Sequence, residues 1–65
     1  MQEVKFIAVE SDEGLRLDKC IAVNHPEVSR SYVQKLIESG GAWINGNTGR
    51  CKDYVKVGDE IKVLI

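Results

Sequence analysis

The chain is poor in the residues that build metal and nucleophile chemistry: two cysteines, one histidine, one proline and one tryptophan in 65 residues. Cys20 and Cys51 stand 31 positions apart, and no Cys-x-x-Cys pair is present. With His25 as the single imidazole, a tetrahedral zinc site of cysteine and histidine cannot be assembled within one chain. No nucleophile–base–acid set is evident either, since His25 sits beside Pro26 in a loop-like stretch. Spacing alone leaves a disulfide open; the pair reads as two reduced, largely buried thiols of a cytosolic protein. No apolar run approaches the length of a membrane span, and the N-terminus lacks the charged-then-apolar layout of a signal peptide. The expectation is a cytoplasmic protein without a membrane partner. An excess of positive charge is also missing: nine Lys and Arg against ten Asp and Glu give a formal net charge of −1. Global electrostatics therefore do not announce a nucleic-acid binder, and any such function rests on where the charges sit. The glycine-bearing "SGGAWINGNTG" lacks the lysine and spacing of a phosphate-binding loop, so its glycines read as a helix stop and turns. No cofactor, metal or small-molecule ligand is expected.

What is present is an ordinary soluble composition, 43% apolar and 29% charged. Sixty-five residues allow one domain, residues 1–65, with one small core near the lower limit for folding without staples; a monomer is expected. "VKFIAV", residues 4–9, is rich in β-formers and reads as a first strand, followed by the polar turn "ESDEG". Over residues 15–23, Leu17, Cys20, Ile21 and Val23 recur at helical spacing, and Pro26 in "NHPE" ends that first helix. After Gly41 the period changes to that of strands: "AWIN" and "EIKVLI", with Asn45-Gly46 as a tight-turn signal and "KVGDE" as a second turn. The fold class is α+β, two short helices packed on a small, mostly antiparallel sheet in the order β-α-α-β-β-β.

The second helix, within "VSRSYVQKLIESGG" (residues 28–41), has both ends written into it. Ser29 is an N-cap, Val28 and Val33 fit a hydrophobic staple, and Gly40 and Gly41 supply a left-handed stop. At about 100° per residue, Arg30, Ser31, Gln34, Lys35 and Glu38 fall within roughly 140° of arc, opposite Tyr32, Val33, Leu36 and Ile37. The apolar arc is core. Arg30 lies in the first turn, where the helix dipole opposes a cation, so its placement does not serve the helix. A serine on either side, free amides and a guanidinium make a phosphate cradle, which Gln34 and Lys35 extend by a turn. If the first helix packs alongside, Arg16 and Lys19 join Arg30 and Lys35 in one basic patch, on a chain that is acidic at Glu3, Glu10, Asp12, Glu13, Asp59 and Glu60. Such a patch suits a folded RNA backbone read by shape and phosphate position.

"RLDKCIA", "SRSYVQKLIESGGAWING" and "VGDEIKV" resemble, in order and spacing, the RNA-binding domain named after small-subunit ribosomal protein S-four, the αL motif. The resemblance covers about residues 15–64. The leading strand and "ESDEGLRLDK" also look like the N-terminal end of large-subunit ribosomal RNA pseudouridine synthases, in which this domain precedes the catalytic one. The resemblance implies that the two helices and the following hairpin bind structured RNA. Carried over by position, Arg16 starts the first helix and faces RNA, and Asp18 orients neighbouring groups. Ser29, Arg30 and Ser31 form the phosphate-facing start of the second helix, with Gln34 and Lys35 beyond, and Asn45 and Gly46 make a hairpin tip that closes one side of the groove. The partner implied is structured, ribosomal RNA.

The sequence departs from the family at three places. Asn47 stands where a basic residue often follows "NG", and Trp43 replaces a smaller β-branched residue. "GRCKDY" lacks the family's proline, though its Arg50 and Lys52 restore part of the charge. Trp43, between Ala42 and Ile44, is expected as a core filler rather than a base-stacking platform. Pseudouridine synthases carry their catalytic aspartate in a motif that also contains Arg-Leu-Asp. Here "RLD" is followed by "KCIA" on the opening turn of a helix, so Asp18 is not read as a nucleophile, and the chain is too short for the synthase's catalytic domain. The expected function is an RNA-binding module without its own chemistry, from the N-terminal end of a pseudouridine synthase. The alternatives are a protein-interaction module whose polar helix face is merely solvated, or the same domain attached to a methyltransferase, a synthetase or a free-standing ribosome-associated factor.

Overall fold

The computed structural model describes residues 2–65. Its elements are β1 (Glu3–Ile7), a 3-10 turn (Glu10–Asp12), α1 (Leu17–Asn24), α2 (Arg30–Glu38), β2 (Ala42–Ile44), β3 (Asn47–Thr48) and β4 (Glu60–Leu64). The order β-α-α-β-β-β is the expected one. The strands form one sheet in the order β1-β4-β2-β3, antiparallel at each described pairing. The last strand therefore lies between the first and the hairpin, with Phe6 and Ile44 both opposite Ile61.

Strand alternation sets what faces the helices. Ile61, Val63 and Ala42 are fully buried beneath the helices, with Val4, Phe6 and Ile44 packed at their margin. Leu17, Cys20 and Ile21 of α1 and Val33 of α2 are also fully buried, and each such aliphatic side chain contributes about 1.5–3 kcal/mol. Val55, in the long segment before β4, is buried too, because Gly14 and Leu15 bracket it with backbone hydrogen bonds.

The ends of α2 are those expected. Ser29 Oγ accepts from the Tyr32 amide at 3.1 Å, a cap typically worth about 1 kcal/mol. At the other end Gly40 N–H donates to Ile37 O and Gly41 N–H to Leu36 O, both at 2.9 Å. That pair is a Schellman stop, with Gly40 at φ +84°. Asn45 (φ +52°) and Gly46 (φ +84°) form the two-residue turn between β2 and β3.

Several boundaries move. β1 stops at Ile7, and the expected polar turn is in part a 3-10 turn, held by the Asp12 carboxylate, which accepts from the Val9 amide and from Asn24 Nδ2. α1 starts at Leu17, not Leu15, because Leu15 O accepts from Val55 N–H and Leu17 N–H donates to Asp53 O. Val23 and Tyr32, expected on apolar faces, are exposed. Trp43 leaves the core. Its neighbours Ala42 and Ile44 point inward, so alternation turns it to the outer sheet face, where Lys62 Nζ lies 4.5 Å from its ring centroid.

Both cysteines are free. Burial, and then the Asp12 charge, pushes the Cys20 thiol up to about 12; burial and the charges of Asp18 and Glu38 also raise that of the half-buried Cys51. An aromatic disulfide reagent is expected to titrate one thiol of the native protein, Cys51, and to reach Cys20 only at the rate of global opening. Equal rates for the two would contradict the packing. Because Cys20 keeps its proton longer when folded, its contribution to stability is full below the ordinary thiol value of 9.0 and is lost as the pH rises from there toward 12.

Candidate functional site

Asp18 occupies the first turn of α1, where the helix dipole favours a carboxylate. Its side chain has no solvent-accessible surface, and five donors surround it. Arg16 spans the carboxylate with Nε at 3.3 Å from Oδ1 and Nη2 at 3.4 Å from Oδ2. Arg30 Nε, from the start of α2, lies 3.3 Å from Oδ2, and Gln34 Nε2, one turn on, lies 2.8 Å from the same oxygen. The Lys19 amide completes the set at 2.9 Å from Oδ1. The helix pair is thus joined at one buried anion by residues 12 and 16 positions away in sequence.

Burial alone would push this carboxyl up. The hydrogen bonds from Gln34, Arg30 and the Lys19 amide, with the Arg30 charge, outweigh it and hold the group below the ordinary carboxylate range. It is ionised at neutral pH. One anion therefore holds two cations, leaving the cluster with a net positive charge. The two guanidinium side chains are 44% and 46% exposed, so each is gripped on one edge and open to solvent on the other. The arrangement can present planar, oriented donors to a phosphate or a nucleobase. Asp18 itself, fully enclosed, cannot reach a substrate atom.

Beside this cluster lies an open groove of about 420 Å³, walled by Arg16, by Ile37, Glu38 and Gly40 at the end of α2, and by residues 48–52. The buried Ile37 and Gly49 and the half-buried Cys51 make its apolar part, and Arg16, Arg50 and Lys52 its cationic rim. Cys51 Sγ lies 3.8 Å from Gln34 O and ties the segment to α2.

Of the residues singled out from sequence, Arg16, Asp18, Arg30 and Gln34 form one cluster. Ser29 spends its hydroxyl on the cap, while Ser31 and the Lys19 and Lys35 side chains are exposed and make no side-chain hydrogen bond among the described residues. Asn45 and Gly46 do not line the groove. The Asn45 side chain is committed to the turn before β4, donating to Asp59 Oδ1 at 3.0 Å and accepting from the Glu60 amide at 2.9 Å. The side of this groove contributed by the hairpin is its exit, from Thr48 onward. Tyr54, 68% exposed, was not singled out; a backbone bridge sets it beside Arg16. The signal was an aromatic between cations in "KDYVK". Among the described residues no three His, Cys, Asp or Glu side chains converge as metal ligands, and no helix is long and apolar enough to cross a membrane.

Fold and site together define a small α+β domain that carries an oriented pair of arginines on one buried carboxylate. Its homologues are RNA pseudouridine synthases. The chain is 47% identical over 57 residues to an uncharacterized RNA pseudouridine synthase of Synechocystis sp., a match covering 86% of this chain and 17% of that protein. It is 34% identical over 59 residues to the ribosomal large subunit pseudouridine synthase D of Xanthomonas campestris, covering 91% and 18%. It is 42% identical over 50 residues to an uncharacterized RNA pseudouridine synthase of Aquifex aeolicus, covering 77% and 16%. The chain thus spans about a sixth of the length of the curated relatives it matches. No family model matches it.

Proposed function

We propose that this chain is an S-four-type RNA-binding module, the N-terminal domain of a pseudouridine synthase that acts on ribosomal RNA. It holds structured RNA while a separate domain isomerises the uridine. The observation that carries this reading is the Asp18 cluster: two arginines, one just before α1 and one opening α2, share one buried carboxylate and turn their free edges outward. An arginine held in this way loses little rotamer freedom on meeting a phosphate, which favours a fixed backbone geometry over a diffuse anion. Arg16 and Arg30 contact phosphates, with Gln34 positioning them. Lys19, Ser31 and Lys35 add contacts on the exposed helix faces, and Arg50 and Lys52 add contacts across the groove. The names of the relatives, all RNA pseudouridine synthases and one of them a ribosomal large-subunit enzyme, support both the RNA partner and the parent activity. Asn45 and Gly46 serve by shaping the hairpin and docking it on the turn before β4.

The test is a salt-dependent titration of the 65-residue chain against a large-subunit ribosomal RNA hairpin, read by fluorescence anisotropy. With roughly four to six phosphate contacts, log Kd should rise with log salt at a slope of about 3 to 5. Arg30→Ala should weaken binding about tenfold and lower that slope by about one. No binding at low salt, or binding indifferent to Arg30→Ala, refutes the RNA reading and leaves a protein-interaction module.

A further inference from the structure

The groove beside the cluster differs from a surface built only for phosphates. A backbone track needs a strip of cations, whereas here three cations surround an apolar recess with Ile37, Gly49 and Cys51 in its walls. The recess also contains one carboxylate, Glu38, which opposes phosphate binding and sits on the exposed end of α2. No hydrogen bond or ion pair commits that carboxylate among the described residues. A volume of about 420 Å³ lies within the ordinary range of small-molecule sites, large enough for one nucleotide unit and too small for a paired helix.

We propose that the groove takes one unpaired nucleotide of the bound RNA, extruded from its helix, and that Glu38 selects guanine. This inference rests on the RNA-binding reading. The base enters the apolar recess against Ile37 and Cys51. The Arg16 guanidinium, whose plane is fixed by its two contacts with Asp18, supplies a stacking surface of the kind that receives splayed-out bases. Guanine carries two adjacent N–H donors on its Watson–Crick edge, which a carboxylate accepts together. Uracil offers one, and adenine and cytosine each place an acceptor beside their amino group, against the negative charge. Arg50 and Lys52, which also line the groove, neutralise the phosphates flanking the extruded nucleotide. A negative charge that is a defect in a phosphate track becomes the selective element of a base site.

The test compares hairpins that are identical except for one bulged nucleotide: none, guanine or uracil. The guanine bulge is expected to bind about tenfold tighter than the uracil bulge, and E38Q to erase that difference. A fluorescent 2-aminopurine placed next to the bulged guanine should change emission on binding, reporting that the guanine leaves the stack. If the unbulged hairpin binds in an Arg30-dependent manner and a bulge adds nothing, the nucleotide site is wrong and the RNA reading stands. If guanine and uracil bulges gain equally, or the preference survives E38Q, Glu38 does not select the base. Free guanosine monophosphate binding as tightly as the bulged hairpin would make the groove a mononucleotide site instead. Failure of every hairpin to bind overturns the RNA reading and this inference with it.

Discussion

Gly49→Ala is expected to destabilise the protein by about 2 kcal/mol, although alanine is among the mildest of substitutions. Gly49 is buried at the exit of the β2–β3 hairpin, where its amide donates to Ala42 O at 2.9 Å. A Cβ at this position would stand 2.5 Å from Leu17 Cδ2 and 3.5 Å from Ile44 Cγ1. Leu17 is itself fully buried, so its methyl cannot swing aside into solvent, and the strain passes into the first turn of α1. Removing a glycine usually gains up to about 1 kcal/mol by restricting the unfolded chain, so the sign of the measured change decides whether the contact is as close as described. For a 65-residue domain with about 3–10 kcal/mol of total stability, the loss should lower Tm by roughly 8–16 °C. The double variant Gly49→Ala with Leu17→Val, which removes the obstructing methyl group, should lose clearly less than the two single changes added together. A Gly49→Ala protein as stable as its parent would show that Leu17 yields to the added methyl group.

The same residue shows where sequence reading stops. The caps of α2 were legible because each is a contact within a few residues: Ser29 with Tyr32, and Gly40 and Gly41 with Ile37 and Leu36. The element order β-α-α-β-β-β was legible from changes of period, while the strand order β1-β4-β2-β3 was not. Contacts that join distant segments left no local trace. Nothing around Gly49 announces Leu17, and nothing in "KDYVKV" marks Val55 as core, since its burial depends on Gly14 and Leu15. Trp43 was misjudged for a related reason. In "AWIN" either Ala42 and Ile44 or Trp43 must face outward, and only the register with β4, Trp43 opposite Lys62, decides between them. On α2 the wheel placed Arg30 and Gln34 on the polar arc with Lys35 and gave them no partner within the protein. The structure anchors the first two by one edge, because a buried aspartate on the other helix accepts from them, and leaves Arg30 about half exposed. Asp18, expected from resemblance as an orienting group, makes four side-chain contacts, with Arg16, Arg30 and Gln34.

Asp18→Asn separates charge from orientation as the source of binding. The substitution keeps the size of the side chain, raises the formal net charge from −1 to zero and removes the one anion beneath Arg16 and Arg30. If attraction to phosphate were the whole effect, RNA affinity should rise, because the cluster becomes more positive. An asparagine amide, however, offers one acceptor oxygen and turns an N–H₂ toward donors that have lost their partner. Arg16 and Arg30 then swing free, and each must be ordered again at the moment of binding. The expected result is an RNA affinity about tenfold weaker at unchanged salt, despite the added positive charge; a tighter complex would show that Asp18 only dilutes the charge. Stability should also fall, by about 2 kcal/mol at neutral pH, below the full cost of breaking a buried pair because both arginines can rehydrate. That loss has a pH signature. The folded carboxyl titrates below its ordinary value of 3.8, so its contribution is complete above that value and disappears as pH falls through the folded one. Denaturation curves of the two proteins should therefore differ at pH 7 and converge in acid. A difference that persists undiminished in acid would mean that shape, not the charged form of Asp18, holds the two helices together.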